Sequence, residues 1–212
     1  MRTRNAGGLT LVSLRAYWRF LVVAYQFGPL IVAYGRDKRR FLLFGRSRRP
    51  SREAQRRRAN SLLDSLLTLG PTFIKLGQLL STRPDVLPPA YIDVLSSLQD
   101  DVPPADWDGV EDVLKDEVGS ITQTFDDFDR EPISGASLGQ VYRATYEGEH
   151  VAVKVRRPGI EKLVDADLRV IRWSVPLLKR LVGEGRAFSL ENVADEFAKT
   201  IREEMNYRRE RR

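Results

Sequence analysis

The stretch that decides the fold is PISGASLGQVYRATYEGEHVAVKVRRP, residues 132–158. Residues 140–146 and 150–155 are rich in valine, tyrosine and threonine, which is typical of β-strands. Glu147-Gly148-Glu149 lies between them and supplies the turn of a hairpin. The stretch therefore predicts a turn, a strand, a tight turn and a second strand.

In the second strand, alternation of side chains divides the residues between two faces. Val151, Val153 and Val155 share one face, which leaves Ala152 and Lys154 on the other. Lys154 is thereby directed at whatever the loop from Ser134 to Gly139 encloses.

This arrangement is how the small lobe of a protein kinase holds ATP, with a loop over the phosphates and a V-A-x-K lysine pairing with them. VAVK at 151–154 fits the pattern. The loop fits G-x-G-x-x-G-x-V in part: Gly139 and Val141 are in place, and Ser134 and Ala136 occupy the other two glycine positions. VAVK alone favours the simpler interpretation of an amphipathic hairpin with a solvated lysine.

Length and composition limit the other possibilities. The 212 residues suffice for one or two modest cores, and the chain has no cysteine, which excludes disulfides and cysteine-ligated metals. The single histidine, His150, is interpreted as structural, and no metal site is predicted.

The net charge of +6 is unevenly distributed. Residues 1–60 contain fifteen Lys or Arg against Asp37 and Glu53, a balance of +13, so residues 61–212 carry −7. Such a basic segment suits nucleic acid or anionic lipid, and the residues between its charges decide which.

Residues 20–35 form an uncharged run, FLVVAYQFGPLIVAYG, flanked by Arg15 and Arg19 before it and by basic residues after it. A membrane span needs about 20 apolar residues, and this run is interrupted by Gly28-Pro29. We expect a helix at a membrane interface, with arginines on lipid phosphates and Tyr17, Trp18, Tyr25 and Tyr34 at headgroup depth. The alternative is a helix that docks on the rest of the protein. Nucleic acid is not expected as a partner, because no groove-reading motif accompanies the arginines.

Periodicity predicts helices on either side of the hairpin. One ends at Gly70-Pro71, and the next begins at about Thr72 with Lys75 and Gln78 one turn apart. Further helices are predicted over 91–98, 110–118 and 160–182, the last with Pro176 inside it and therefore kinked or divided in two. Ser189 is the predicted N-cap of a last helix that places Glu204 beside its apolar stripe. The predicted domains are a membrane-associating segment and linker (1–60), a helical extension (61–118) and a partial small lobe (119–212).

Four segments together resemble one family. Residues 73–104 are similar to the signature helix of the UbiB/AarF (ABC-one) family of atypical kinase-like ATPases, whose K-x-G-Q hallmark falls on Lys75, Gly77 and Gln78. The loop PISGASLGQVYRA resembles the family's alanine-rich loop, and VAVKVRRPGI and EEMNYRRE resemble its lysine strand and E-x-D helix. The resemblance implies an α+β fold: a kinase-like small lobe with an antiparallel sheet and an αC-like helix, preceded by the helical K-x-G-Q extension.

The resemblance also implies roles for individual residues. Lys154 would contact nucleotide phosphates, Glu210 would be its αC partner, and Glu204 would be the first acidic residue of E-x-D. Lys75 and Gln78 would project into the active site. The nucleotide, ATP or ADP with Mg²⁺, would lie against a loop and strand comprising Ser134, Gly135, Ala136, Ser137, Gly139 and Val141.

The sequence departs from the family pattern in ways that limit activity. Gly135 should make the loop more flexible, and Asn206 replaces the aspartate of E-x-D. No H-x-D or D-F-G occurs, so the large lobe is absent from this sequence, and the chain is expected to be truncated, inactive alone and weak in nucleotide binding.

The family context is isoprenoid quinone and lipid metabolism. It implies a cytoplasmic protein peripheral to the inner face of the membrane, with isoprenoid lipid or lipid-biosynthesis proteins as further partners. The alternatives are a non-catalytic, membrane-docked regulatory module and a soluble helical domain with an incidental hairpin.

Overall fold

The structure is a computed structural model that describes residues 16–33, 51–98, 105–182 and 184–206. The chain divides into two compact units. One comprises Met1–Leu98 with Val164–Ile201, and the other comprises Gln99–Leu163 with Arg202–Arg212.

The first unit is helical. Its helices are α1 (Ala16–Ala33), α2 (Arg52–Leu69), α3 (Pro71–Ser81), α4 (Pro89–Leu95) and most of α7 (Ile160–Val182) and α8 (Glu184–Glu204). Ser51 caps α2, because its Oγ accepts the Ala54 N–H at 3.2 Å. The chain turns sharply from α2 into α3 at Gly70, whose φ of 90° favours glycine. Helix α3 begins at Pro71, one residue before the predicted start at about Thr72.

Helices α2, α3 and α4 bury a shared core that contains Leu66, Phe73 and Leu95. Helix α1 packs against this unit through Phe27, whose ring centroid lies 6.0 Å from that of Phe73. Its opposite face exposes Tyr17, Trp18, Leu21, Tyr25 and Val32. By length and composition alone, α1 is long and apolar enough to cross a membrane.

Two predictions about the last helices are corrected. Helix α7 is continuous through Pro176, so the alternative of two separate helices is wrong. Proline removes one backbone hydrogen bond, and burial of residues such as Val164 and Leu168 along the helix offsets that loss. Ser189 is not an N-cap, because α8 already begins at Glu184. Gly185 costs this first turn only about 1 kcal/mol relative to alanine, which a helix tolerates.

The second unit pairs two helices with a small antiparallel sheet. Its elements are α5 (Trp107–Val118), α6 (Ile121–Thr124), β1 (Asp127–Phe128), β2 (Ser134–Gly135), β3 (Gly139–Tyr146) and β4 (Glu149–Arg156). β3 pairs with all three other strands. Helix α5 lies within a few residues of its predicted position, 110–118, and α4 of the first unit lies within a few residues of 91–98.

The hairpin is confirmed with a shorter turn than predicted. Glu147 and Gly148 have φ of 53° and 81°, as in a two-residue type I′ turn, and Glu149 already belongs to β4. The Gly148 N–H donates to Asp126 Oδ2 at 2.9 Å.

The two faces of the sheet differ as the alternation predicted. Tyr142 and Val155 are buried against Val110 and Leu114 of α5. The rings of Trp107 and Phe128 extend this core. The α+β class is therefore confirmed, with α5 covering one face of the sheet.

Candidate functional site

The strand register brings three of the predicted nucleotide-contacting residues into one row. Ser134 pairs with Val141, and Val141 pairs with Lys154, across β2, β3 and β4. Directly opposite residues of antiparallel strands point to the same face. The row therefore lies on the face turned away from the α5 core, where Lys154 and Ser134 are exposed and Val141 is half-buried.

The predicted phosphate loop is the tight end of the β2–β3 hairpin. The Ala136 N–H donates to Gly139 O at 2.9 Å, which places Ser137 and Leu138 at the tip. Both tip residues are buried, at 2% and 4% exposure. The tip of the loop is thus buried, while its Ser134 end is exposed.

Arg157 donates two hydrogen bonds to carbonyl oxygens of this loop. Its backbone N–H donates to Leu138 O at 3.1 Å, and its Nε donates to Ala136 O, also at 3.1 Å. Burial lowers the pKa of the Arg157 guanidinium, an effect that the nearby Tyr142 opposes. Arginine keeps its charge in proteins despite such a shift, so the loop carbonyls face a permanent cation.

A buried polar chain lies on the core face beside this anchor. Gln140 is fully buried, and its Nε2 donates to Tyr142 Oη at 2.8 Å. Its Oε1 accepts the Ala105 N–H at 2.7 Å. Burial raises the pKa of Tyr142 above its ordinary value. The buried Gln140 amide thus has a partner for both its oxygen and its nitrogen, which favours this position of β3 behind the row.

The chemistry of the exposed row fits an anionic ligand. An ammonium group and a hydroxyl group lie on one face of the sheet. Both can donate hydrogen bonds to phosphate oxygens. In the part of the chain that the structure describes, no group of three or more His, Asp or Glu could hold a metal ion. The residues of the row thus suit the oxygens of a phosphate group.

The sheet also carries two open depressions, of about 450 and about 500 Å³. Both are lined by Arg143 and His150, and the larger one also by Ile133 and Ala152. Neither lining includes Lys154, so these depressions do not by themselves mark the predicted site.

The K-x-G-Q residues lie in the helical unit, on α3. Gln78 Nε2 donates to Leu98 O at 3.4 Å, and Lys75 is half-buried and has an interaction partner. Gly77 is tightly packed: a Cβ there would lie 2.5 Å from Leu98 Cδ1 and 2.8 Å from Leu66 Cδ1. The structure thus gives a packing reason for the glycine, and the catalytic roles of Lys75 and Gln78 stay predictions.

The acidic residues of the last helix are only partly described. Glu204 is the last residue of α8, is half-buried and, like Lys154, has an interaction partner. Asn206 lies two residues after Glu204, and its backbone N–H donates to Glu203 O at 3.1 Å. Glu210 lies outside the described residues, so its predicted pairing with Lys154 stays a prediction.

One prediction about the basic segment changes in the structure. Arg19, expected on lipid phosphates, instead donates from Nε to Asp167 Oδ1 and from Nη2 to Leu69 O, both at 2.5 Å. The buried Asp167 carboxylate draws this cation inward, because a charge without a partner is costly in the interior.

Arg157 was missed in the sequence, although a signal for it exists. Gly139 pairs with Arg156 across the hairpin, so the next residues outward, Leu138 and Arg157, must lie beside each other. A turn placed correctly at Glu147-Gly148 would have shown this neighbourhood.

Comparison with known proteins gives the family. A sequence model of the ABC1 atypical kinase-like domain matches residues 97–212. The chain is 46% identical over 144 residues to "Uncharacterized protein slr0889" of Synechocystis sp. (strain ATCC 27184 / PCC 6803 / Kazusa), covering 67% of this chain and 35% of that protein. It is 39% identical over 181 residues to "Probable protein kinase UbiB" of Aeromonas salmonicida (strain A449), covering 83% of this chain and 32% of that protein.

Among solved structures, the Rv3197–erythromycin complex from Mycobacterium tuberculosis aligns with a TM-score of 0.45 and 31% identity. The alignment covers 74% of this chain and 40% of that one. The chain thus spans about a third of the length of the curated relatives described above. Since the domain match takes in more than half of its residues, the chain belongs to the ABC1 atypical kinase-like family.

Proposed function

We propose that this chain supplies the phosphate-binding sheet of an ABC1-type ATP site. The observation that supports it most is the row of Ser134, Val141 and Lys154 across three paired strands, on the face opposite the core. Family membership adds the expectation of ATP, with Mg²⁺ neutralising charge on its phosphates.

Each residue of the row has a distinct role in this proposal. Lys154 places a positive charge against the α and β phosphates, and the Ser134 hydroxyl donates a hydrogen bond to a phosphate oxygen. Val141 and Ala152 offer an apolar surface to the ribose and base. The buried core behind β3 fixes these positions before the ligand arrives, which lowers the entropic cost of binding.

The binding proposal is tested with a fluorescent ATP analogue and Mg²⁺, titrated into the full 212-residue chain. A hydrogen bond from a charged group contributes about 1.5–3 kcal/mol, so Lys154→Ala should weaken binding about 10- to 150-fold. Lys162→Ala removes an exposed lysine at the start of α7 and is the matched control. Equal affinity of the wild type and Lys154→Ala would refute the proposal.

We further propose that these 212 residues do not hydrolyse ATP by themselves. Phosphoryl transfer needs groups that hold Mg²⁺ and orient the nucleophile, and the sequence contains no H-x-D or D-F-G. Isolated binding should accordingly be weak. Mg²⁺-dependent turnover that disappears in Lys154→Ala would contradict this. From the family resemblance we propose that the complete activity belongs to isoprenoid quinone or lipid metabolism.

A second function, membrane docking, is favoured by the exposed face of α1. Tyr17, Trp18 and Tyr25 are 61%, 69% and 83% exposed on a helix whose other face packs on the protein. Aromatic side chains of this kind partition into lipid headgroups, and the basic first 60 residues would attract an anionic surface. In this proposal the protein is cytoplasmic and peripheral to the inner face of the membrane.

Co-sedimentation with phosphatidylserine vesicles tests the docking. The double variant Trp18→Ser/Tyr25→Ser and deletion of residues 1–45 should both reduce binding, as should high salt. Tyr146→Ser, which alters a 43%-exposed tyrosine of β3, is the control. Binding that persists after the deletion, or that is insensitive to salt, would exclude this mode of docking.

A further inference from the structure

The predicted phosphate loop is held by bonds to its carbonyls. Gly135 and Gln140 pair at its base, and the Ala136 N–H to Gly139 O bond closes it. Beyond that bond, the carbonyls of Ala136 and Leu138 accept hydrogen bonds from Arg157. A loop that receives phosphate must keep its carbonyl oxygens away from the anion, because like partial charges repel.

Arg157 lies near Tyr142, which is buried on the face opposite the row, and this neighbour indicates that Arg157 holds the carbonyls from that side. Its Nε lies 3.1 Å from Ala136 O, and its side chain is partly buried near Tyr142. The adjacent Arg156 differs, because it forms ion pairs with Glu117 and Glu161. The two consecutive arginines therefore bind different partners: Arg157 the loop backbone, and Arg156 two carboxylates.

We infer that Arg157 is a positioning residue for nucleotide binding, which fixes the 134–139 loop with its carbonyls turned away from the phosphates. This role rests on the proposed function, and it assigns no contact between Arg157 and the nucleotide. The side-chain bond to Ala136 is the part that mutation can remove, since the backbone bond to Leu138 survives substitution.

The inference is tested with Arg157→Ala, Arg157→Lys, Arg156→Ala and Lys154→Ala in the full 212-residue chain. Two quantities are measured: amide hydrogen exchange of the peptide covering residues 134–140 without ligand, and the affinity for a fluorescent ATP analogue with Mg²⁺. Circular dichroism verifies that each variant folds. If Arg157→Ala does not fold, Arg157→Lys is compared with the wild type in its place.

Arg157→Ala should exchange faster in the loop and bind the analogue about tenfold more weakly, the effect of losing one charge-assisted hydrogen bond. Arg157→Lys should resemble it, because lysine keeps the charge but lacks the Nε–H that reaches Ala136. Lys154→Ala should lose affinity with normal loop exchange, and Arg156→Ala should change neither quantity.

Other results would overturn the inference. Unchanged loop exchange in Arg157→Ala would show that the side chain is not the anchor. Faster loop exchange with unchanged nucleotide affinity in Arg157→Ala would show that Arg157 has a structural role only. Full nucleotide affinity in Arg157→Lys would show that its positive charge, and not its bond to Ala136, matters for binding. A wild-type chain that binds no nucleotide would overturn the proposed function and this role with it, while the exchange data would still show whether the anchor exists.

Discussion

Arg19→Leu removes the cation that holds α1 to the helical unit. The Asp167 carboxylate of α7 is fully buried, and the Arg19 side chain is only 19% exposed. Deleting one member of a buried ion pair typically costs 3–5 kcal/mol, because the remaining charge has no compensation. Partial exposure of Arg19 lets water reach the site, so we expect about 3 kcal/mol of destabilisation at pH 7.

The cost should depend on pH with a defined sign. Burial raises the pKa of Asp167, and the hydrogen bonds that Arg19 donates to its carboxylate oppose that rise. Removing Arg19 raises the pKa further. A carboxyl whose folded pKa lies above its unfolded value stabilises the fold most when protonated, and that contribution is lost as pH rises through the folded pKa. Arg19→Leu should therefore cost less at pH 5 than at pH 7.

Urea denaturation followed by circular dichroism measures the effect. With a urea dependence of about 2–3 kcal/mol per molar, typical of small proteins, the midpoint should fall by about 1 M at pH 7. Hydrogen exchange of residues 16–33 should also accelerate, because α1 loses its ion pair with Asp167 of α7. Arg57→Leu, which breaks an exposed pair with Glu53, should leave the midpoint unchanged.

A double-mutant cycle decides whether the reasoning is right. Arg19→Leu/Asp167→Asn removes both charges and should be less destabilised than the sum of the single variants. Strict additivity, or the same midpoint shift at pH 5 and pH 7, would show that Arg19 stabilises the unit by packing and not by charge.

Two further predictions concern α3 and the segment after it. Gly77→Ala gains about 1 kcal/mol of helix propensity, but it forces a methyl group against the buried Leu66 and Leu98, which costs about 1–3 kcal/mol. Urea denaturation should therefore show a net loss of about 1 kcal/mol in unfolding free energy. A higher urea midpoint would contradict this prediction. Hydrogen bonding to Arg83 lowers the pKa of Asp85 from 3.8 to about 2, so Asp85 stabilises the fold above its unfolded pKa and loses that contribution as pH falls toward 2. In Arg83→Ala, an NMR titration should show the Asp85 pKa back near its ordinary value, and an unchanged pKa would exclude Arg83 as the cause.

The hairpin could be predicted from the sequence because its determinants are local. Val151, Val153 and Val155 alternate with Ala152 and Lys154, and Gly148 marks a turn, so strands and faces follow from side-chain period alone. The position of Lys154 beside Val141 required the register as well. That register depends on the turn length, which was predicted one residue too long.

The ends of helices were less predictable where the competing signals were weak. Ser189 is a good N-cap by type, yet one more turn of helix before it forms despite Gly185. Pro176 likewise indicated an interruption that packing of α7 overrides. Both cases concern about 1–3 kcal/mol of local preference, which tertiary contacts can exceed.

Long-range partners could not be predicted from composition. Arg19 belongs to a strongly basic segment, and its sequence neighbours suggested an anionic membrane. Its actual partner lies 148 residues away on α7, and only the packing of α1 brings the two together. Net charge therefore describes what a segment attracts on average, whereas burial decides where an individual charge goes.

The same distinction applies to the K-x-G-Q motif, which combines packing with chemistry. A methyl at Gly77 would press against the side-chain ends of Leu66 and Leu98, so packing favours glycine there whether or not the chain binds nucleotide. Gln78 has a structural use as well, through its hydrogen bond to the Leu98 carbonyl. Loss of activity in a Gly77 variant would consequently reveal little about catalysis unless stability is measured beside it. Lys75 is half-buried and has an interaction partner as well, so a variant at that position also needs a stability measurement beside any binding assay.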